Sequence, residues 1–267
     1  VDIVIEAVPE KMAIKKAVFQ ELEEACPEQT IFASNTSALS ISEMGAATEK
    51  PHKVIGMHFF NPAHIMKLVE VIPGLDTGRE TQDDVVMFTE TLRKIPVVVQ
   101  ECPGFLVNRL LMPYLNEATL ALEEGAATAT EIDAAVVEWG MPMGPFTLMD
   151  MLGIDVCADV GEDLYSEYGE RMTPAKLFGE LMEAGRLGEK SGAGFYDHPG
   201  GESEAVHQMI EELQGSGQVE TGTSFTVERL MYPLINEAAQ CVLENVATMT
   251  DIDMAMVAGT GMTYDGE

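Results

Sequence analysis

Two apolar runs separated by a short polar turn decide the fold: Gly56-Met-His-Phe-Phe-Asn-Pro62 and Lys67-Leu-Val-Glu-Val-Ile72. Both runs carry the β-branched and aromatic residues that favour strands. If they fold back on each other about a turn centred near His64, His58 and Glu70 lie opposite each other. A carboxylate among β-branched residues is costly to bury unless it is paired, so the sequence predicts a His58–Glu70 pair.

The predicted pair has a chemical use. A glutamate that orients an imidazole and stabilises its charged form is a common general acid/base unit. His58 and Glu70 are therefore candidate catalytic residues. A hydrogen-bonded core histidine with a purely structural glutamate partner satisfies the same pattern and stays open at this point.

Strands and helices alternate around the two runs. The predicted strands cover residues 2–8, 30–33, 53–59, 67–72 and 96–99. Residues 11–25 and 83–93 show apolar side chains at helical spacing, and Ser40 with Glu43 forms a capping box at the start of a short helix. Strand–helix–strand order predicts a parallel α/β sheet, with the later strands adding antiparallel pairs at its edge.

The character of the chain changes near residue 103, where a helix-rich region begins. We predict four segments: residues 1–100 form an α/β domain, 101–198 a helical domain, 199–218 a glycine-rich linker around a short helix, and 219–267 a further helical part. Glycine clusters support the linker.

An internal repeat links the second and fourth segments. Residues 107–133 and 227–253 align at a constant offset of 120, with 13 identities in 27 positions. We therefore predict that residues 219–267 are an incomplete second copy of the helical domain. Glu228 stands where the first copy has Asn108.

Composition excludes several functional classes. The 267 residues include 15 basic and 45 acidic ones, a net charge of −30, which argues against nucleic-acid binding and anionic membrane surfaces. No run approaches the ~18 apolar residues of a membrane span. The four scattered cysteines form neither a CxxC pair nor zinc-ligand spacing with histidine. They predict a reducing, cytoplasmic compartment and no metal site.

Four further motifs are candidates for function. They are Ala33-Ser-Asn-Thr-Ser-Ala38, Glu6-Ala-Val-Pro-Glu10 with Lys15, Pro103-Gly-Phe-Leu-Val-Asn-Arg109, and Lys190-Ser-Gly-Ala-Gly-Phe-Tyr196. The first follows a strand, where side chains face the ligand crevice of an open α/β sheet. Structural alternatives stay open for each. The motif at 33–38 is otherwise a loop with a helix cap, and the motif at 6–10 an acidic helix start with a solvated Lys15. In the motif at 103–109, Asn108 is otherwise a helix cap, and the motif at 190–196 is otherwise a plain turn.

Together these motifs resemble the L-3-hydroxyacyl-CoA dehydrogenase family, which includes 3-hydroxybutyryl-CoA dehydrogenases and β-oxidation multifunctional proteins. The resemblance covers residues 1–198 and the repeat. It implies a Rossmann-type NAD-binding domain followed by a helical domain that forms homodimers. The chain contains no GxGxxG turn and opens within a strand. We therefore expect a fragment, cut at both ends, whose activity is weak or absent in isolation.

The resemblance also implies an activity: oxidation of (S)-3-hydroxyacyl-CoA to 3-oxoacyl-CoA with NAD, in fatty-acid β-oxidation or butanoate metabolism. It implies His58 as the base, Glu70 as its orienting carboxylate, and Ser37 and Asn108 as substrate contacts. Because Glu228 replaces Asn108 in the second repeat, it also implies a structural rather than a catalytic role for that copy. The implied NAD contacts are Glu10, Lys15, Ser37, Asn61 and Lys190. Two alternatives remain: a non-catalytic structural or dimerisation member of the fold, and an NAD-linked dehydrogenase of a hydroxy acid without CoA.

Overall fold

The computed structural model describes residues 1–222 and 224–262, which group into two compact units. The first unit comprises Val1–Val107 with Gln240–Gly261, and the second comprises Asn108–Ala239 with Met262.

The first unit contains a five-stranded sheet. Its strands are β1 Ile3–Glu6, β2 Ile31–Ser34, β3 Val54–Phe59, β4 Leu68–Pro73 and β5 Ile95–Val98, in the order β1-β2-β3-β4-β5. Strands β1, β2 and β3 are parallel, β4 runs antiparallel to β3, and β5 runs parallel to β4. All five predicted strands are confirmed. The antiparallel pair was expected at the sheet edge and instead lies inside the sheet, because a helical crossover returns the chain from β4 to a parallel β5.

Helices α1 Met12–Ala25, α2 Ile41–Gly45 and α3 Arg79–Thr91 connect these strands, with a 3₁₀ turn at Pro51–Lys53. The apolar core between sheet and helices contains Ile31, Ala33, Ile55, Met57, Val69, Val71 and Val85. The Ser40 side chain accepts a hydrogen bond from the Glu43 backbone and caps α2 as predicted. The Glu43 carboxylate pairs with Lys16 at 2.6 Å, so the reverse half of the predicted capping box does not form.

Helices dominate the rest of the chain. They are α4 Val107–Glu123, α5 Ala129–Trp139, α6 Pro145–Leu152, α7 Ile154–Tyr168, α8 Leu177–Glu183, α9 Glu204–Gly215, α10 Val227–Leu243 and α11 Met249–Thr260. Glycines with positive φ end several of them, as at Gly140 and Gly153. The predicted linker 199–218 holds α9, which buries Val206, Ile210 and Leu213. The short helix that the sequence predicted within the linker is therefore present, and its apolar side chains are buried.

The two segments of the sequence repeat form the same local structure. Helices α4 and α10 both have 17 residues, begin 120 positions apart and contain an internal proline, Pro113 or Pro233. Each is followed by a helix that starts with a threonine capping box, at Thr128 for α5 and at Thr248 for α11.

Two ion pairs join equivalent positions of the repeat in the second unit. Arg109 Nε donates to Glu237 at 2.7 Å, and Arg229 Nε donates to Glu117 at 2.6 Å. Arg109 and Arg229 are 120 positions apart, and so are Glu117 and Glu237. The contact is therefore reciprocal, as in an interface with two-fold symmetry.

The end of the repeat belongs to the first unit. Helix α11 packs on β4 and β5, and Val246 accepts a backbone hydrogen bond from Gln100 at 2.8 Å. A Cβ added at Gly259 would lie 2.6 Å from Cδ2 of the buried Leu68, so the Leu68 side chain would have to shift to admit a larger residue. The sequence placed residues 219–267 in one segment, whereas these contacts group Gln240–Gly261 with the sheet.

None of the helices in the described part of the chain is both long and apolar enough to cross a lipid bilayer.

Candidate active site

The antiparallel register of β3 and β4 pairs His58 directly with Glu70. His58 Nδ1 lies 2.7 Å from Glu70 Oε2, and both side chains are buried. The predicted pairing of the two residues is confirmed. Because an ionised carboxylate can only accept, Nδ1 carries the proton, and Nε2 of neutral His58 keeps its lone pair.

The second oxygen of Glu70 accepts hydrogen bonds from the start of helix α4. Oε1 accepts the backbone N–H groups of Leu106 at 3.1 Å and Val107 at 2.8 Å, where α4 begins. These N–H groups have no partner within their helix, and the N-terminal end of the helix dipole favours a negative charge. The same carboxylate thus orients the imidazole and caps α4.

A left-handed turn brings those N–H groups to Glu70. Gly104 has φ of 72° and Phe105 has φ of 48°, an uncommon conformation for a bulky residue. The contact between Glu70 and these N–H groups was not predicted from the sequence, although Gly104 was a signal for the turn. The rings of Phe105 and Phe60 also pack against the imidazole. Their centroids lie 5.8 Å and 4.6 Å, respectively, from the centroid of the His58 ring.

Lys15 lies at the centre of a buried ionic cluster. Its Nζ is 2.7 Å from Glu6 Oε1 and 3.2 Å from Glu10 Oε2. The Lys15 side chain is 0% exposed and that of Glu6 is 2% exposed. The interpretation of Lys15 as a solvated residue is therefore wrong, because the carboxylate of Glu6 at the end of β1 compensates its buried charge.

Glu10 connects that cluster to the loop after β2. Its Oε1 accepts the Thr36 hydroxyl at 2.5 Å and the backbone N–H groups of Ser37 at 2.8 Å and Ala38 at 3.3 Å. Burial acts to raise the pKa of Glu10, but hydrogen bonds from Thr36 and Ser37 and the charge of Lys15 outweigh it and lower the pKa. The structure thus brings Glu10, Lys15 and the Ser37 backbone together.

Asn35, which was not predicted as a site residue, links the ends of the strands. Asn35 Oδ1 accepts the Phe59 N–H at 2.9 Å, and the Asn35 N–H donates to the Glu6 carbonyl at 2.9 Å. Asn35 lies between the buried strand β2 and Ser37, so it fixes the start of the predicted Ser37 loop. Asn61 is exposed in the turn that follows β3.

The other two candidates belong to the second unit. Asn108 lies in the first turn of α4, but the helix already begins at Val107, so the interpretation of Asn108 as its cap is wrong. Lys190 forms an ion pair with Asp155. Roles for Asn108 and Lys190 alongside His58 stay predictions.

The glycine-containing motif around Lys190 forms a supported turn. Asp150 accepts the backbone N–H groups of Phe195 at 2.8 Å and Tyr196 at 3.0 Å. A Cβ at Gly194 would collide with the Asp150 carboxylate. These contacts favour the structural interpretation of this motif.

Among residues 1–222 and 224–262, no three histidine, cysteine, aspartate or glutamate side chains are grouped as metal ligands.

Comparison with known families gives two matches. The model of the 3-hydroxyacyl-CoA dehydrogenase NAD binding domain matches residues 1–102, and that of the 3-hydroxyacyl-CoA dehydrogenase C-terminal domain matches residues 104–198 and 225–265. A probable 3-hydroxybutyryl-CoA dehydrogenase of Bacillus subtilis is 48% identical over 200 residues, which cover 74% of this chain and 69% of that protein. This chain belongs to the 3-hydroxyacyl-CoA dehydrogenase family.

Longer relatives and a solved structure extend the family comparison. The fatty acid oxidation complex subunit alpha of Acinetobacter baylyi is 40% identical over 98% of this chain. The chain spans 38% of that relative's length. The crystal structure of 3-hydroxybutyryl-CoA dehydrogenase from Escherichia coli K12 has a TM-score of 0.86 and 32% identity, and the match covers 98% of this chain and 72% of that one. The α/β sheet followed by a helical region is thus the fold of this 3-hydroxyacyl-CoA dehydrogenase family.

Proposed function

We propose that this chain carries the catalytic base of a dehydrogenase that oxidises the C3 hydroxyl of (S)-3-hydroxyacyl-CoA to a ketone with NAD. The observation that carries the proposal is the buried His58–Glu70 pair, joined at 2.7 Å. Family membership supports the reaction, and fatty-acid β-oxidation or butanoate metabolism is the proposed context.

His58 is the proposed base. Loss of hydride from an alcohol carbon requires removal of the hydroxyl proton, and Nε2 of His58 is the nitrogen with a free lone pair. As Nε2 accepts that proton, the imidazole becomes positive, and Glu70 Oε2 stabilises this charge through Nδ1–H. The hydride acceptor would be supplied by bound NAD.

The chain offers suitable groups for that cofactor. The parallel strands β1, β2 and β3 are followed by the Glu10 carboxylate, the Ser37 hydroxyl and the Asn61 amide respectively. Ligands bind outside the carboxyl ends of strands in open α/β sheets, and these groups can hydrogen-bond ribose hydroxyls and a carboxamide. We propose Glu10, Lys15, Ser37 and Asn61 as cofactor contacts, and Lys190 as a further one.

The remaining roles rest on family membership. Ser37 and Asn108 are the proposed substrate contacts. Helices α10 and α11 are proposed as a second copy of the start of the helical domain. A homodimer through the helical domain and a cytoplasmic location complete the proposal. None of the four cysteines forms a disulfide bond, which is compatible with that location.

The deciding experiment compares His58→Ala with wild type in the protein at its full natural length. NADH consumption is followed with acetoacetyl-CoA as substrate. We expect kcat to fall by roughly 10²–10⁴ without a change in fold. The matched control is His52→Ala, which removes an exposed histidine just before the opposite end of β3.

Each outcome distinguishes the alternatives. Full activity of His58→Ala would show that another residue acts as the base. Wild-type turnover of acetoacetate but not acetoacetyl-CoA would favour a dehydrogenase of free hydroxy acids. Absence of turnover with either compound would favour a structural or dimerisation role.

A further inference from the structure

The turn between β3 and β4 joins the strand of the proposed base to the strand of its carboxylate. It covers residues 60–67, and every residue from Asn61 to Ile65 is exposed. Its backbone forms a single helical turn, in which the Pro62 carbonyl accepts the N–H groups of Ile65 at 2.9 Å and Met66 at 3.0 Å. One isolated turn is unstable in water, because its few hydrogen bonds do not offset the lost backbone entropy.

Lys94, the residue before β5, binds this turn. Its Nζ donates to the carbonyls of Ala63 and Met66, the latter at 2.7 Å. Among the residues that the structure describes, no other side chain outside the turn hydrogen-bonds to residues 61–66. A cation near the last carbonyls of a helical turn also complements their negative partial charge. The C-terminal end of the turn is thus held by one ammonium group.

Two contacts fix Lys94 in that position. Strand β5 pairs with β4 so that the Ile95 N–H donates to the Lys67 carbonyl at 2.8 Å, which brings Lys94 to the end of the turn. The ammonium also lies 5.9 Å from the centroid of the Phe59 ring, within the range of a cation–π contact. Because successive side chains of a strand point to opposite faces, Lys94 approaches β3 from the face opposite to the His58 imidazole. It therefore acts on the site through the turn.

We infer that Lys94 is a positioning residue, which holds the turn and thereby fixes the two residues that the turn contributes to the site. Phe60 packs against the His58 ring with a centroid distance of 4.6 Å, and Asn61 is the proposed cofactor contact of this turn. Both residues stand at the start of the segment whose C-terminal end Lys94 holds. The effect on turnover rests on the proposed function, because only there do His58 and Asn61 act on substrate and cofactor.

The test measures hydrogen–deuterium exchange by mass spectrometry, with sub-second labelling, in the ligand-free protein at its full natural length. Lys94→Met removes the ammonium, and Lys94→Arg keeps a cation with several N–H donors. We expect exchange in a peptide covering residues 60–67 to accelerate about tenfold in Lys94→Met and less than about threefold in Lys94→Arg, while a peptide covering β2 is unchanged.

Lys67→Met is the matched control. Lys67 is an exposed cation at the end of the same turn, and within the described ranges its side chain forms no hydrogen bond. Its replacement should leave the exchange of residues 60–67 at the wild-type rate. A slower exchange in wild type than in Lys94→Met alone would therefore report the loss of the two carbonyl contacts rather than the loss of a positive charge near the turn.

Turnover separates positioning from stability. In Lys94→Met we expect kcat to fall and the KM for NADH to rise, each about three- to tenfold, with recovery in Lys94→Arg. A purely structural Lys94 predicts a lower midpoint of denaturant unfolding and faster exchange throughout the sheet, with kcat unchanged in the folded protein. If Lys94→Met does not fold, Lys94→Gln, which also lacks the charge, takes its place in the same comparison.

Exchange of residues 60–67 at the wild-type rate in the folded neutral variant would overturn the inference. So would equal acceleration in the β2 peptide, or a loosening in Lys94→Arg as large as in the neutral variant. The exchange measurement does not depend on turnover, so an inactive wild type would refute the proposed function and leave this inference to its own result.

Discussion

Replacing Glu70 by glutamine separates the two tasks of this carboxylate. Its Oε1 holds two N–H donors, from Leu106 and Val107, and its Oε2 faces one, His58 Nδ1. A glutamine has one accepting oxygen and one donating nitrogen. The side chain satisfies most partners by turning its oxygen to the two N–H groups, which points its nitrogen at Nδ1. His58 must then accept at Nδ1 and carry its proton on Nε2, where the proposed base needs a lone pair.

The structure gives the size of both effects. Two charge-assisted hydrogen bonds become neutral at about 1 kcal/mol each, and the relief of burying a charge offsets part of this loss. The expected decrease in unfolding free energy is about 1–2 kcal/mol. The loss of the accepting Nε2 is expected to lower kcat by about 10²–10⁴, equivalent to about 3–5 kcal/mol of the barrier.

The assay combines three measurements on Glu70→Gln: denaturant unfolding, NADH-linked turnover, and the imidazole nitrogen shifts that report the tautomer of His58. Glu101→Gln is the matched control. Glu101 also accepts from the start of a helix, through Ser40 and the Ser42 backbone, but contacts no histidine among the bonds described. It should lose stability and keep its kcat. A kcat within about threefold of wild type in Glu70→Gln, or an unchanged tautomer, would refute the reasoning.

Three further predictions concern stability and reactivity. Glu237→Gln should lower the free energy of unfolding by about 3–5 kcal/mol in a denaturant titration, because it removes the carboxylate that pairs with Arg109, whose side chain is 0% exposed. A decrease below about 1 kcal/mol would contradict the importance of this pair. Burial raises the pKa of Cys157 to about 12, so mass spectrometry after treatment with a thiol reagent near pH 8 should find it unmodified until the protein unfolds. The lowered pKa of Glu10 means that its ionised form stabilises the fold above the unfolded-state value of about 4.3 and that this stability disappears as the pH falls through the folded value. Unfolding free energy measured between about pH 6 and pH 3 should therefore fall more steeply in wild type than in Glu10→Gln, and parallel curves would disprove the assignment.

The sequence predicted the features that depend on local pattern. Residue alternation located the strands, and the twelve-residue separation of His58 and Glu70 located their cross-strand contact, because a hairpin relates pairing to spacing directly. The capping of α2 by Ser40 followed from adjacent residues in the same way.

Other features depend on contacts between distant parts of the chain. The bond from Leu106 to Glu70 joins positions 36 apart, and no spacing rule relates a strand carboxylate to a later helix start. The burial of Lys15 depends on Glu6 pointing to the same side of the sheet as α1. A lysine at a helix start is usually solvated, so only the three-dimensional structure identifies this one as buried.

The reciprocal ion pairs constrain how the two halves of the repeat can diverge during evolution. A mutation at Glu117 removes an acceptor from Arg229, a residue 112 positions later, and the equivalent mutation at Glu237 affects Arg109. Neither half can therefore accumulate changes at these positions independently, and we expect compensating pairs of substitutions to appear together among descendants. Position 228 takes part in neither pair, and there the two halves already differ, with glutamate in place of the asparagine at 108.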